Sequence, residues 1–159
     1  MLYYSFADYQ KLSAAVESSW KSRDFKFFAS LQYNYYKPAE GVVLNMLPSL
    51  ESVVKCEYNW KNRLFFNMGV EVIGPRETDL NYIGPADSEG GYKPVASAED
   101  GARYKIPAFV NLTAQIDYRI NRHFSVYLQG ENLLGTKNWR YAGIMERPLN
   151  AGGGIAINF

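Results

Sequence analysis

Apolar and polar residues alternate along the last fifty residues of the chain. From Val110 to Ile120 every second residue is apolar, and the residues between them are Asn, Thr, Gln, Asp and Arg. The same period returns from Phe124 to Glu131, after a break of three residues, and again from Leu149 to Phe159. Successive side chains of a β-strand point to opposite faces of its sheet. The pattern therefore predicts three strands, each with one apolar and one polar face, and a hairpin between the first two.

Four earlier segments have the same period. They span residues 11–20, 25–36, 50–60 and 64–74. A less regular segment around Leu2, Tyr4 and Phe6 predicts an eighth strand or the end of one. The apolar phase of the seven later strands contains no Asp, Glu, Lys or Arg, although these residues make up 21% of the chain. One face of the predicted sheet therefore avoids charge, as a face in contact with lipid must.

The connections between these strands alternate in length. Short breaks lie at 21–24, 61–63 and 121–123, and long ones at about 37–48, 75–107 and 135–147. The stretch 75–107 holds most of the prolines and has no sustained period, so it predicts an irregular loop. Outer-membrane barrels have short turns on the periplasmic side and longer loops outside. The alternation therefore favours a membrane barrel over a soluble meander.

Composition narrows the remaining classes. The formal net charge is +1 at pH 7, which gives no bulk electrostatic reason to bind nucleic acid. Aromatic residues make up 16% of the chain, with 13 Tyr, a content typical of barrels with aromatic girdles. No stretch approaches the roughly 18 apolar residues of a spanning helix. Because only helices and closed barrels satisfy their backbone in lipid, a membrane protein with this sequence must use strands.

The residues that usually carry catalysis or bind metals are few and isolated. His123 is the only histidine and Cys56 the only cysteine, which argues against a metal site, a Ser-His-acid triad and an internal disulfide. The triplet Gly152-Gly153-Gly154 lies within a strand pattern, and no Lys or predicted helix follows it. It therefore does not predict a phosphate-binding loop. We expect neither enzyme activity nor a cofactor.

Four elements follow one another at the end of the chain. An Asn-Leu-Leu element at 132–134 ends the penultimate strand, a loop with Trp139 and Tyr141 follows, Arg-Pro at 147–148 opens the last strand, and the chain stops on Phe159. This run resembles the closing strands of TonB-dependent outer-membrane receptors. The resemblance implies an all-β fold, a segment of about 7–8 antiparallel, up-and-down strands of a transmembrane β-barrel, with long loops on one side and short turns on the other.

The same resemblance implies a function for a larger protein. Residues 1–159 would form a single domain, the C-terminal part of a barrel of about 22 strands in the outer membrane. The first residues show no basic region followed by an apolar core, so we expect export as part of a longer precursor. Receptors of this family take up scarce ligands such as metal chelates, vitamins or glycans by energy coupling. Their partners are membrane lipid, the barrel-assembly machinery, a plug domain and TonB.

Three groups of candidate residues follow. Charged residues of the polar phase are expected to line a hydrated lumen and, by the resemblance, to contact a plug: Glu51, Lys55, Glu57, Glu71, Asp117, Arg119 and Glu131. Loop residues are candidates for contact with a ligand or partner, because binding residues concentrate on loops: Tyr82, Tyr92, Trp139, Arg140, Tyr141 and Arg147. The terminal signal for barrel assembly, implied by the resemblance, comprises Ile155, Ile157 and Phe159.

Two other classes remain open from the residues alone. Eight strands can close around a filled interior, so the chain would also fit a complete small outer-membrane barrel with a structural or adhesive role. The apolar phase would fit a soluble lipocalin-like binder in which it faces inward to hold a small ligand. Sorted loop lengths and the terminal Phe argue against that soluble class. Burial of Phe27, Val70 and Ile116 in the centre of a globule would exclude the membrane interpretation.

Overall fold

The fold consists of β-strands joined by turns and loops. The structure, a computed structural model, describes residues 9–40, 44–78, 93–96, 103–137, 139–141, 144–145 and 148–157. These residues form three antiparallel sheets and contain no helix. The predicted all-β class is confirmed. The segment around Leu2, Tyr4 and Phe6, predicted as an eighth strand, lies outside the described residues.

Strands of very different length follow one another along the chain. They are β1 (Tyr9–Lys21), β2 (Phe25–Pro38), β3 (Leu50–Trp60), β4 (Leu64–Ile73), β5 (Arg76–Thr78), β6 (Lys93–Ala96), β7 (Arg103–Ile106), β8 (Phe109–Arg119), β9 (Phe124–Glu131), β10 (Trp139–Tyr141), β11 (Ile144–Met145) and β12 (Asn150–Ile157). The seven strands predicted from the alternation of apolar and polar residues correspond to β1, β2, β3, β4, β8, β9 and β12. These seven strands form one sheet in that order, which is the predicted up-and-down arrangement.

Strand pairing places every predicted apolar phase on the same face of this sheet. Residues directly opposite each other in an antiparallel pair share a face. One row of such residues crosses all seven strands: Trp20, Phe27, Cys56, Met68, Ala114, Gly130 and Ala151. A slip of one residue in any pair would move the rest of the row to the other face. The sheet therefore has one continuous apolar face and one continuous polar face.

No second layer covers the apolar face within the described part of the chain. Leu12, Val16, Leu128 and Ile155 lie on this face and are 72%, 71%, 66% and 69% exposed. Burying such side chains away from water stabilises a protein by roughly 1.5–3 kcal/mol each, so a soluble protein would cover them. The apolar face is thus uncovered: its side chains are largely exposed on β1 and β12, and most of those on β3, β4 and β8 are half-buried among their neighbours in the sheet.

The three residues chosen to test the membrane interpretation lie on this exposed face. Phe27 and Val70 are half-buried, and Ile116 is 40% exposed. The hydrophobic side chains that are fully buried among the described residues are instead Ile106 and Phe109, each 0% exposed. They lie where β7 leads into β8, at the long-loop end of the sheet. Phe109 is paired with Ile73 on the polar side, so this small core forms behind the apolar face.

Aromatic side chains on the apolar face concentrate at the end of the sheet with the short turns. We call this group the aromatic belt: Trp20, Phe25, Tyr58, Trp60, Tyr118 and Phe124. Tyr33 and Tyr35 lie at the opposite end of β2 and are 52% and 54% exposed. Lys37, next to the last residue of β2, is the one charged residue that the seven strands carry in this phase. The middle of the apolar face therefore has no charged side chain, and the single charged residue lies at the edge of this face.

Asparagine side chains explain why two of the connections are short. Lys61 and Asn62 adopt left-handed backbone angles, with φ of 52° and 55°. The Asn59 side chain spans this turn, accepting a hydrogen bond from the Asn62 N–H at 2.9 Å. In the next short turn, Asn121 Oδ1 accepts hydrogen bonds from two backbone N–H groups. Asn tolerates left-handed angles and bonds its own backbone, which suits it to three-residue hairpins.

The long connections contain strands that the sequence pattern did not predict. Residues 75–107, predicted as an irregular loop, include β5, β6 and β7, which form a three-stranded sheet in the order β5-β7-β6. The connection at 135–147 includes the paired strands β10 and β11. Each of these strands has two to four residues, which is too short for a period of two to stand out. Prediction of these stretches as structureless was therefore wrong.

The seven-stranded sheet has two open edges. Within the described part of the chain, β1 pairs with β2 alone and β12 with β9 alone, so these strands do not close a barrel. An unpaired edge leaves a row of N–H and C=O groups without partners. In lipid each such group costs several kcal/mol, because no water is present to replace the missing hydrogen bond.

Open edges lead to a prediction about the chain expressed alone. We expect it to self-associate in detergent, because pairing of edges between copies satisfies the backbone of β1 and β12. Size-exclusion chromatography with light scattering should give oligomers or aggregates in place of one monomeric species. A monodisperse monomer that unfolds cooperatively would contradict this expectation and favour a small closed barrel.

Candidate functional site

The seven charged residues predicted to line a lumen all lie on the polar face of the sheet. They are Glu51, Lys55 and Glu57 on β3, Glu71 on β4, Asp117 and Arg119 on β8, and Glu131 on β9. Three of them, Glu51, Glu71 and Asp117, are half-buried, and the others are exposed. Pairing between strands brings them to one side of the molecule. Their contact with a plug domain stays a prediction.

A groove of about 350 Å³ crosses β3, β4, β8 and β9 on this face. Its floor lies at Gly69, where an added Cβ would come within 2.8 Å of Thr113 Oγ1. Three amide side chains at its wall stand opposite one another on neighbouring strands: Asn67, Gln115 and Gln129. Amides and hydroxyls both donate and accept hydrogen bonds. These side chains could therefore form hydrogen bonds with the backbone of a bound protein segment or with the hydroxyl groups of a ligand.

Contacts between neighbouring strands organise the charges near the groove. Lys26 Nζ lies 2.6 Å from Glu57 Oε2, and both side chains are more than half exposed, so the ion pair contributes less than about 1 kcal/mol to stability. Gln115 donates a hydrogen bond of 2.9 Å to Asp117. The Arg119 guanidinium lies 4.6 Å from the centre of the Phe65 ring. These contacts orient the side chains of the polar face more than they stabilise the fold.

Asn34 forms a buried polar cluster at the long-loop end of the polar face. Its side chain is 1% exposed. Asn34 Oδ1 accepts hydrogen bonds from Ser13 Oγ at 2.8 Å and Gln32 Nε2 at 2.9 Å. Its Nδ2 donates longer bonds of 3.4 Å to the Pro48 carbonyl and to Glu51 Oε2. Every hydrogen-bonding atom of the buried amide thus has a partner, as burial requires.

This cluster fixes the end of the β2–β3 connection over the polar face. The backbone N–H of Asn34 donates to the Ser49 carbonyl at 2.8 Å. The N–H of Met46, which has a left-handed φ of 64°, donates to the Glu77 carbonyl of β5 at 2.8 Å. The connection is therefore attached both to the large sheet and to the small one. We had not singled out Asn34, since alternation predicts its face but not its burial.

The Asn-Leu-Leu element folds back on the sheet that it follows. Asn132 is 4% exposed and has a φ of 48°. Its N–H donates to Asn111 Oδ1 at 3.0 Å, and its Nδ2 donates to the Thr136 carbonyl at 2.9 Å. The Leu133 side chain lies over Gly130, where an added Cβ would come within 2.5 Å of Leu133 Cδ2. The motif thus ends β9 with a specific turn that is bonded to β8.

The triplet of glycines lies in β12, where it makes room for a neighbouring aromatic ring. A Cβ at Gly154 would come within 2.7 Å of Tyr127 Oη and 2.9 Å of Tyr127 Cε1. Gly154 and Tyr127 are opposite each other on the polar face. An aromatic ring lying over a strand glycine shields the backbone there. Gly153 and Gly154 therefore allow close packing between β9 and β12.

Substitution of the glycines should separate this packing role from general strand effects. We expect Gly154→Val to cost about 1–2 kcal/mol in stability, since the Tyr127 ring must leave its position. Gly152→Val is the matched control: it lies on the same strand and face, and nothing lies within 4 Å of its added Cβ. Urea titrations in vesicles should show the loss for Gly154→Val only. Equal midpoints for the two variants would contradict the packing role.

The candidate loop residues fall largely outside what the structure describes. Tyr82, Tyr92 and Arg147 lie outside the described residues. Trp139, Arg140 and Tyr141 form β10, which is described through its backbone alone. Their contact with a ligand or partner therefore stays a prediction.

The predicted terminal signal is described in part. Ile155 and Ile157 lie on the apolar face of β12 and are 69% and 51% exposed. Phe159 lies outside the described residues. The two isoleucines thus occupy the same face as the aromatic belt, and their role in barrel assembly stays a prediction.

Side chains that usually bind metals are not clustered among the described residues. No group of three or more His, Cys, Asp or Glu side chains lies close enough there to hold a metal ion. His123 accepts a hydrogen bond of 2.8 Å from Arg122 Nε in an exposed turn. Cys56 is a half-buried free thiol on the apolar face.

Within the described part of the chain, no helix has the length and hydropathy needed to cross a membrane.

No protein-family model matches the chain, and no curated sequence matches it. Functional assignment therefore depends on the two faces of the sheet and on the residue motifs themselves.

Proposed function

We propose that this chain is a segment of an outer-membrane β-barrel and, by its closing motifs, part of a TonB-dependent receptor. The observation that carries this proposal is the apolar face. It runs across seven strands without a charge except Lys37 at its edge, and it is exposed. A lipid environment accounts for both properties, because it replaces the missing second layer and penalises charge by roughly 2–4 kcal/mol per residue near its centre.

The aromatic belt is independent support for the proposal that the apolar face lies in lipid. Trp and Tyr favour the boundary between hydrocarbon and head groups, where the ring is shielded and its polar atom stays hydrated. Trp20, Tyr58, Trp60 and Tyr118 stand at one end of the exposed face, as such a boundary requires. The short turns between the sheet strands lie just beyond them. In this orientation the long connections reach the outer side of the membrane.

The polar face would then line the lumen of the larger barrel. Its groove and its charged residues would contact a plug domain through hydrogen bonds and ion pairs, as the resemblance implies. The whole receptor would take up a scarce ligand, such as a metal chelate, vitamin or glycan, by coupling to TonB. This segment contributes barrel wall, lumen surface and the bases of external loops.

Two observations weigh against the other classes. Open edges at β1 and β12 favour a segment of a larger barrel over a complete small one. The groove lies on the polar face, and within the described part of the chain no layer encloses the apolar side chains, which differs from a lipocalin-like binder. In such a binder the apolar side chains would line the cavity.

Flotation with lipid vesicles tests the membrane part of this proposal. The chain, unfolded in urea and diluted into phosphatidylcholine vesicles, should float with the vesicles and resist extraction by alkaline carbonate. Recovery of a folded monomer from the buffer fraction would contradict it.

For the receptor part, the coding sequence upstream of residue 1 should encode a plug domain and earlier strands. A signal peptide placed directly before residue 1 would exclude a receptor segment.

A further inference from the structure

Positive charge concentrates at the short-turn end of the sheet. Residues 21–26, 57–63 and 117–123 together hold seven Lys and Arg against three Asp and Glu, whereas the whole chain holds 17 against 16. All three segments belong to the described part of the chain. The composition of the whole chain thus does not account for the excess of positive charge at this end. The short-turn end is basic, although the chain is nearly neutral.

Most of these cations are not engaged by carboxylates. Lys26 pairs with Glu57, and Arg119 lies over the Phe65 ring. Five others contact no carboxylate within the described part of the chain, and we call them the basic rim: Lys21, Arg23, Lys61, Arg63 and Arg122. All five are exposed. Their charges are therefore available to an external anion.

The geometry of Lys61 directs part of the rim toward the apolar side. Lys61 follows Trp60, a residue of the aromatic belt that is 45% exposed. The left-handed backbone at Lys61, with φ of 52°, allows its Nζ to lie 5.2 Å from the centre of the Trp60 ring. The same order, Trp followed by Lys, ends β1 at Trp20 and Lys21. Lys21 is opposite Lys26 and so starts from the polar face, whereas Lys61 is the rim cation that lies against a ring of the apolar face.

We infer that the basic rim binds the head groups of anionic phospholipids in the leaflet next to the short turns. This inference rests on the proposed membrane function. Trp side chains mark the depth at which hydrocarbon meets head groups, so a cation one residue further along lies at the depth of the lipid phosphates. Each Lys or Arg at an anionic membrane surface strengthens binding by about fivefold. The rim therefore selects anionic over zwitterionic lipid at this end of the barrel.

A lipid fits this rim better than an acidic protein. The Lys61 ammonium lies against Trp60, whose side chain belongs to the apolar face and not to the polar one. A protein bound within the lumen would contact the opposite side of the sheet. A lipid standing against Trp60 reaches the same ammonium with its phosphate. The position of the cation thus favours a ligand on the membrane side.

Fluorescence quenching by brominated lipids tests the inference. The chain has three Trp residues, so the Trp139→Phe variant leaves only Trp20 and Trp60 as reporters at the rim. In vesicles that mix phosphatidylcholine with brominated phosphatidylglycerol, or the reverse, quenching gives the relative binding constant of the two lipids. We expect phosphatidylglycerol to be preferred by about fivefold or more at low salt, and the preference to shrink in 0.5 M NaCl.

The rim variant and a matched control separate local binding from bulk charge. Lys61→Gln with Arg63→Gln removes two of the five rim cations and should lower the preference severalfold. Lys11→Gln with Lys37→Gln removes the same charge at the other end of the strands, about 30 Å away, and should leave the preference unchanged. Circular dichroism and resistance to protease show whether each variant is folded like the parent.

Three outcomes decide between the inference and the function on which it rests. Equal binding of the two lipids to the parent, or a rim variant that keeps the full preference of the parent, would overturn the inference. Loss of the preference in the control as well would also overturn it, since bulk charge would then be the cause. Absence of quenching by either brominated lipid would instead overturn the membrane function itself.

Discussion

Replacement of Val70 by Arg should cost about 2–4 kcal/mol of folding free energy in a lipid bilayer. Val70 lies near the middle of β4 on the apolar face, between Val54 and Leu112 on the neighbouring strands. A guanidinium there would face hydrocarbon, far from the head groups at either end of the strand. Urea titration of the chain in phosphatidylcholine vesicles, followed by tryptophan fluorescence, measures the change in midpoint.

Two further variants test whether lipid or a protein core surrounds Val70. Asn67→Arg places the same charge on the polar face of the same strand, opposite Glu57, and should cost less than about 1 kcal/mol. Val70→Phe should also be tolerated, because lipid adapts to a larger side chain. In a packed protein core the added volume would cost about 1–3 kcal/mol. Tolerance of Val70→Arg, or a large loss for Val70→Phe, would contradict contact with lipid.

Phe109→Ala should produce a loss of about 3–5 kcal/mol, the cost of truncating a fully buried aromatic side chain. Phe109 is 0% exposed and begins β8, directly after the small sheet leads into the large one. Its removal leaves a cavity beside Ile73 and weakens the junction between the two sheets. Limited proteolysis in vesicles should then cut within 103–108 before it cuts within β8.

The matched control for this substitution is Phe124→Ala. Phe124 begins β9, as Phe109 begins β8, but it is 43% exposed on the apolar face. Against lipid, a Phe contributes less than about 1 kcal/mol, so this variant should keep most of its stability. Similar losses for the two variants would contradict a distinct buried core at the long-loop end. Such a result would place both rings in comparable surroundings.

Alternation along the sequence was sufficient to predict the large sheet, because each of its strands is long enough to repeat its period several times. The phase assigned to β2 from Phe25 onward is also the phase found in its partners β1 and β3. Short turns then bring together β1 and β2, β3 and β4, and β8 and β9, and the other neighbours pair across the long connections. The predicted strand boundaries differ from the observed ones by a few residues, as at β1, which begins at Tyr9 in place of 11.

Contacts between distant residues could not be predicted in the same way. The ion pair between Lys26 and Glu57 depends on the register across a long connection, and the sequence indicated Glu57 but not its partner. Burial of Asn34 depends on the backbone at Pro48, which folds over the polar face. Strands β5 and β7 pair across more than twenty residues of chain, and each is too short to show a period. Such features arise from tertiary structure and leave no local signal.

The attachment of the β2–β3 connection to both sheets has a consequence for engineering. Its residues 44–49 hydrogen-bond to β2 through Ser49 and to β5 through Met46. A foreign peptide grafted in place of this stretch would remove the acceptor of the Asn34 N–H and the donor to Glu77 at the same time. Sequence exchange that preserves the long-loop end of the sheet must therefore retain both anchor points, or transplant the connection together with β5.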